Sequence, residues 1–306
     1  MTIFFIFISF ILILNVIGFI INQTFFSNEL DQIQPYGELV NVNGQKMHIY
    51  SMGEGEETIV LLPGLNVPLP SADFGPLMRE LSKDFTVVCI EYFGVGFSDQ
   101  TDKPRTNENY TQEIRTVLEL AGFSPPYILM PHSASGIYSE YYAIKYPDEV
   151  SSIIMLDTTS SAIKGANVPK FVYKLSMVQQ ATGFNRIINT FVVPNLLKES
   201  NGYTRQEIKD YGRFINYLFN NTIIDQNVRF NDNIIEVMEM DFPDEVSVLK
   251  IVPTGTIRQV GEEYQMDHIN RLSVNARYIM IDGSHFIYHT NITDIYDATI
   301  DFLYKR

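Results

Sequence analysis

Several residue types that mark particular classes of protein are scarce in this 306-residue chain. It has one cysteine and no tryptophan, and its 22 lysines and arginines are outnumbered by 36 aspartates and glutamates. The single cysteine, Cys89, excludes an internal disulfide. The net charge of −14 argues against nucleic acid as a partner and against electrostatic binding to anionic lipid, since both surfaces are negative. Aromatic volume for a core is supplied instead by 21 phenylalanines and 18 tyrosines.

Charge is also absent from the N-terminus, where residues 3–21 are apolar except for one serine, one asparagine and one glycine. A helix over these residues would be roughly 28 Å long, close to the hydrocarbon thickness of a bilayer. The sequence therefore predicts a transmembrane anchor over residues 1–22, followed by a tether over 23–36. A cleaved signal peptide is the alternative, but it would need a basic start and a small-residue cleavage site. Because no positive charge follows the apolar run, we expect the remaining domain outside the cytoplasm.

From residue 37 onward, short apolar strands alternate with helical stretches. Two alternating segments on either side of Asn43-Gly44 predict a β-hairpin. Further strands are predicted near 58–62, 85–91, 126–130, 152–156, 248–252 and 276–281. Helices are predicted near 73–83, 109–121, 134–146 and 292–304. This alternation is typical of an α/β fold with a mostly parallel, doubly wound sheet that is covered on both faces.

The interval from about 160 to 246 contains no comparable strand. Helical stretches lie within it near 204–219 and 231–240, and a structureless loop of this length is uncommon in a compact domain. We therefore expect a helical insertion over the edge of the sheet, within one domain that spans residues 37–306.

The strand predicted near 126–130 leads directly into a serine and then a helix. Such a change at one residue needs a sharp turn, which pushes the side chain of Ser133 out of the sheet edge. Pro131 and Ser135 flank this serine at a spacing of two, and residues of small size there let the helix approach the strand. The pattern corresponds to a nucleophile elbow, Gly-x-Ser-x-Gly, with both glycines replaced. Ser133 is the candidate nucleophile.

Turn residues and polar residues also follow the ends of other predicted strands. Pro63-Gly64 follows the first parallel strand, Asp157 follows the strand after the elbow, and Gly283-Ser284-His285 follows the last strand. From about residue 38 onward this arrangement resembles the α/β-hydrolase fold family, in particular its lidded serine esterases and lipases. The family's nucleophile, acid and histidine occur in this chain order. The resemblance implies a catalytic triad of Ser133, Asp157 and His285, with His285 as general base and with no cofactor or metal.

The acid is the position at which alternatives remain. Most family members place it after the penultimate strand, where Arg258 stands in this chain. A minority place it after the strand that follows the nucleophile, and Asp157 occupies that position. If Asp157 only caps a turn, Glu262 and Glu263 are the alternatives.

The resemblance also implies an oxyanion hole made by the backbone N–H groups of Leu65 and Ala134, which would meet negative charge in the transition state. Pro63 and Pro131 stand where the family has histidine and glycine, and each change removes a backbone donor. The expected function is hydrolysis of a small-molecule carboxylic ester through an acyl-enzyme. Peptidase or thioesterase chemistry, or a non-catalytic binding module, are the alternatives on the same fold.

Overall fold

A computed structural model describes residues 2–304, and its centre is one eight-stranded sheet. The strands are β1 (Glu38–Val42), β2 (Gln45–Met52), β3 (Thr58–Leu62), β4 (Thr86–Glu91), β5 (Tyr127–Pro131), β6 (Val150–Leu156), β7 (Ser247–Pro253) and β8 (Arg277–Ile281). They are ordered β1-β2-β4-β3-β5-β6-β7-β8. Only the pairs that involve β2 are antiparallel, and all other neighbours are parallel. The predicted mostly parallel sheet is confirmed.

Helices lie on both faces of this sheet and in the segments before and between its strands. They are α1 (Thr2–Phe25), α2 (Pro70–Asp73), α3 (Gly75–Leu81), α4 (Asn107–Leu120), α5 (Ser135–Lys145), α6 (Lys170–Ala181), α7 (Phe184–Leu196), α8 (Arg205–Phe214), α9 (Asn221–Met238), α10 (Thr254–Val260), α11 (Glu262–Arg271) and α12 (Ile292–Tyr304). Helix α10 lies in a segment where no helix was predicted, because its seven residues carry little of the apolar periodicity on which a helix prediction depends.

The core lies on both sides of the sheet because successive strand residues point to opposite faces. On one face Val60 and Val88 pack with residues of α4 and α5. On the other, Leu61 and Cys89 pack with residues of α3 and α12. The strands that are buried on both faces are largely apolar, as is usual for parallel sheets between helices.

The four helices α6–α9 occupy the predicted insertion between β6 and β7 and are called the cap below. The second pair is well anchored: α8 buries Tyr211 and Phe214 in a cluster with residues around α2, and α9 packs Ile234 and Val237 against α5. The first pair is not, since α6 has no buried residue and α7 has only Val193.

The N-terminal helix α1 is tied to the cap at its C-terminal half. Gly18 lies so close to the Thr182 carbonyl that a β-carbon there would be 2.4 Å from the oxygen. Asn22 donates to the Ala181 carbonyl at 3.2 Å and accepts from Arg186 Nε at 2.6 Å. Across residues 2–304, no helix combines the length and the apolar character that crossing a bilayer requires. The predicted transmembrane anchor is therefore not supported, and the placement of the domain outside the cytoplasm stays a prediction.

Candidate active site

The turn between β5 and α5 has the geometry of a nucleophile elbow. Ser133 has a φ of +54°, a conformation that L-residues adopt at a cost and that accumulates at functional sites. Its N–H donates to the Leu156 carbonyl at 3.1 Å, and its own carbonyl accepts from Thr159 at 3.0 Å. Gly136 lies so close to Thr158 that a β-carbon would be 2.5 Å from the threonine Cβ. The elbow is thus clamped against the end of β6.

The structure brings together the three residues that the sequence nominated. His285 Nε2 lies 3.0 Å from Ser133 Oγ, and His285 Nδ1 lies 2.7 Å from Asp157 Oδ2. The Asp157 side chain is 2% exposed, whereas that of His285 is 47% exposed. A hydrogen-bonded relay therefore runs from a buried carboxylate, through an accessible imidazole, to a partly exposed hydroxyl.

Asp157 is held by groups on either side of it. Its φ is +46°, and its N–H donates to the Ile251 carbonyl of β7 at 2.9 Å. Thr256, in α10, donates from Oγ1 to Asp157 Oδ2 at 2.6 Å, so one carboxylate oxygen accepts from both threonine and histidine. No role for Thr256 could be predicted from the sequence, because its contact with Asp157 depends on how α10 leaves β7.

The alternative acids lie elsewhere. Glu262 and Glu263 are exposed in the first turn of α11. Arg258, which stands where most of the family has its acid, is exposed near the end of α10. The carboxylate that contacts His285 is that of Asp157.

A second histidine supports the first. His132 Nε2 lies 3.0 Å from the backbone carbonyl of His285, and the two ring centroids are 4.7 Å apart. Burial, and then the charge of His285, lower the pKa of His132 well below its usual value. A neutral His132 has one N–H, and only the tautomer that carries it on Nε2 can donate to that carbonyl. His132 thus fixes the backbone of His285.

The loop after β3 meets the elbow where the predicted oxyanion hole would lie. A β-carbon on Gly64 would be 2.9 Å from both His132 Nδ1 and Ser133 Cβ, so only glycine allows this approach. Ser135 donates to the Pro63 carbonyl and ties the start of α5 to the loop. Ala134 is the N-cap residue of α5, where the helix dipole favours negative charge. Leu65 and Ala134 therefore belong to two segments that converge on Ser133.

A separate buried network adjoins the acid. Lys250 Nζ lies 2.6 Å from His268 Nδ1, and His268 Nε2 lies 2.8 Å from Glu140 Oε1. Burial lowers the pKa of Lys250 to about 8, while the charges of Glu140 and Asp157 act in the opposite direction. Lys250 is therefore a buried amine next to the segment that holds Asp157.

Comparison with known proteins concerns the fold that carries this site. Residues 57–199 match the sequence profile described as the alpha/beta hydrolase fold. An uncharacterised Bacillus subtilis protein, YbdG, is 26% identical, and the match covers 96% of this chain and 94% of YbdG. Human serine hydrolase BPHL is 30% identical over 38% of this chain and 40% of its own length.

Among solved structures, the carboxylesterase CesB of Bacillus subtilis superimposes with a TM-score of 0.62 at 14% identity. That match covers 96% of this chain and 99% of CesB. At this level of identity the likeness concerns the fold.

Proposed function

We propose that the chain, whose residues 57–199 match the alpha/beta hydrolase fold profile, is a serine hydrolase that cleaves a small-molecule carboxylic ester. The observation that carries the proposal is the relay itself, with 3.0 Å from Ser133 to His285 and 2.7 Å from His285 to Asp157. These distances are within hydrogen-bond reach for proton transfer. A serine nucleophile with this support is suited to acyl transfer.

In the proposed reaction, Ser133 Oγ attacks the ester carbonyl while His285 Nε2 takes the hydroxyl proton. The tetrahedral intermediate places its oxyanion against the N–H groups of Leu65 and Ala134. His285 then returns the proton to the leaving alkoxide, and the C–O bond breaks to give an alcohol and an acyl-serine. A water molecule, deprotonated by His285, releases the carboxylic acid and restores Ser133. Asp157 holds the imidazole in the required tautomer and stabilises its cationic form.

Two features make Asp157 a suitable acid. It is buried, so its interaction with the developing imidazolium is weakly screened by solvent. It is also hydrogen-bonded by Thr256 at 2.6 Å, which holds the carboxylate in one orientation.

The proposal is tested with a fluorophosphonate probe and p-nitrophenyl esters of increasing acyl length. The purified chain should be labelled on the peptide that contains Ser133, and Ser133→Ala should lose both labelling and ester turnover while circular dichroism stays unchanged. Ser284→Ala, at an exposed serine next to His285, is the matched control and should still be labelled. If the folded wild-type protein reacts with neither probe nor esters, a binding module becomes the better interpretation. If a thioester or peptide is turned over in preference to esters, the ester assignment is wrong.

A further inference from the structure

The first helical pair of the cap exposes an unusual amount of apolar surface. In α6 the exposed fractions are 63% for Phe171, 60% for Leu175 and 61% for Val178. Their spacing of i, i+4 and i+7 places them on one face of the helix. In α7 the corresponding fractions are 54% for Phe184, 64% for Ile187 and 71% for Phe191. These six residues are called the cap face below.

Single exposed apolar residues are normal on a protein surface, but a contiguous set marks an interaction site. The two helices meet at a tight turn at Gly183, which has a φ of +70°, so their apolar faces are connected. Because α6 and α7 together bury only Val193, the cap face is not part of the core.

The segment that contains the cap face is positively charged, whereas the whole chain is negatively charged. Residues 158–198 contain no aspartate or glutamate, although the chain has a net charge of −14. The same segment holds five basic residues, of which Lys164, Lys170, Lys174 and Lys198 are exposed. The fifth, Arg186, is paired with Glu29 at 2.5 Å. The total charge predicts that anionic lipid is repelled, whereas the local charge of this segment is positive.

The apolar surface continues onto the N-terminal helix. A groove of about 610 Å³ between α1 and the corner of α6 and α7 is lined by apolar side chains that include Ile11, Leu14, Phe184 and Ile187. Beyond the groove, α1 exposes further apolar residues such as Ile17 and Ile20. The cap face is thus one part of a larger apolar surface that belongs to two distant segments of the chain.

We propose that the cap face, together with the exposed side of α1 beside it, binds the surface of an anionic lipid bilayer. Helices with an apolar face and lysines beside it lie in the plane of a membrane interface, with the apolar side chains among the acyl chains. The lysine stems extend along the apolar surface and place their ammonium groups at the lipid phosphates. This goes beyond the proposed hydrolase activity and requires neither a spanning helix nor a reactive Ser133.

The decisive experiment reports the environment of the cap face in the full-length protein, because vesicle binding measured on the whole chain does not distinguish the cap face from α1. Leu175→Cys and Phe191→Cys are labelled with an environment-sensitive NBD dye. Leu120→Cys and Val274→Cys, at positions outside the cap that are 57% and 84% exposed, are the matched controls. The native Cys89 is buried, and burial raises the pKa of its thiol well above the usual value, so it can stay in place.

On phosphatidylcholine vesicles that contain phosphatidylglycerol, NBD at the two cap positions should brighten, shift to shorter wavelength and be quenched by spin-labelled lipid. NBD at the control positions should stay accessible to aqueous iodide. If the cap labels also stay accessible to iodide on vesicle-bound protein, α1 binds alone and the proposal is wrong. If the cap labels brighten without vesicles as the protein concentration rises, the cap face joins two copies of the chain, and the lipid-binding proposal is wrong.

The charge is tested separately. The double variant Lys170→Gln/Lys174→Gln should partition about tenfold or more weakly onto vesicles with phosphatidylglycerol, since each lysine near such a surface adds a several-fold gain. Lys103→Gln/Lys145→Gln, at exposed lysines outside the cap, should partition like wild type. Ester turnover should be the same in both variants, which separates this test from that of the proposed function. Equal losses in the two variants would mean that total charge, and not the cap, controls binding.

Discussion

Ser133 and Asp157 leave neighbouring strands in the same uncommon backbone conformation, with φ values of +54° and +46°. The two turns are joined, because Ser133 N–H donates to the carbonyl of Leu156, the residue before Asp157. Left-handed backbone costs a non-glycine residue on the order of 1–3 kcal/mol. Here it occurs at both ends of the relay, where it directs a hydroxyl and a carboxylate toward His285.

The acid is tested by Asp157→Asn. This change keeps a hydrogen bond to His285 but favours the wrong imidazole tautomer, and the equivalent change in a serine protease costs about 10⁴-fold in turnover. We expect kcat/KM for an ester substrate to fall at least about a hundredfold. Glu262→Gln and Glu263→Gln, at exposed positions of α11, should each cost less than about tenfold. If Asp157→Asn keeps near-normal kcat/KM while one of the glutamate variants is inactive, the acid is a residue that follows β7.

Thr256 is expected to act as a positioning residue, since its hydroxyl touches Asp157 and not the substrate. Thr256→Val should lower kcat/KM about tenfold, the size expected for one hydrogen bond to a charged group, and Thr256→Ser should restore it. Thr254→Val is the control, because Thr254 donates to Asp282 at 2.6 Å. The loss should be in kcat with KM unchanged. Equal effects at both threonines would point to a disturbance of α10 in general.

The burial of His132 predicts how the stability of the protein depends on pH. Its pKa is lowered by burial, so the folded protein resists protonating it, whereas the unfolded chain protonates it below about pH 6.5. The stability that this group contributes should therefore be present above that pH and decrease as the pH falls below it. His132→Phe removes this dependence, so its unfolding free energy in urea should vary less between pH 7 and pH 5. Parallel curves for the two proteins would show that folding does not lower the pKa of His132.

A buried ion pair gives a prediction about the fold alone. Arg105 and Glu113 are 0% and 3% exposed and are joined by two hydrogen bonds of 2.9 and 2.7 Å. Glu113→Gln leaves a buried guanidinium without its counter-charge, which should cost about 3–5 kcal/mol. Glu199→Gln removes the partner of Arg205 from a pair whose side chains are 87% and 58% exposed, and should change stability by less than about 0.5 kcal/mol. Urea denaturation compares the two, and similar losses would contradict the expected dependence on burial.

The sheet could be predicted from the sequence because each parallel strand is a short apolar run between polar turns. The candidate nucleophile and histidine could be placed for the same reason, since polar residues at the ends of parallel strands meet at one edge. The choice between Asp157 and the glutamates could not be made from the sequence, because the contact with His285 joins positions 128 residues apart. His132 and Thr256 were missed because their roles depend on tertiary contacts with no local signal.

The cap and α1 show how the effect of a sequence property depends on where its residues lie. The apolar run of residues 3–21 predicted a membrane span, and in the structure the second half of that helix contacts the cap through Asn22 and Arg186. The net charge predicted repulsion from anionic lipid, whereas residues 158–198 carry no acidic side chain. A total charge averages over the chain, so it does not show such a local difference.

The cap lies between Asp157 and His285 in the chain, so it separates one member of the relay from the other two. Ser133 and Asp157 come before α6, and His285 comes after α9. One proteolytic cut at the exposed ends of α6 or α7 would leave two fragments, with the nucleophile and acid on the first and the histidine on the second. The parallel pairing of β6 with β7 would be the main contact that keeps them in register. The alignment of His285 with Ser133 and Asp157 thus depends on contacts between two halves of the sheet that lie on either side of the cap in the chain.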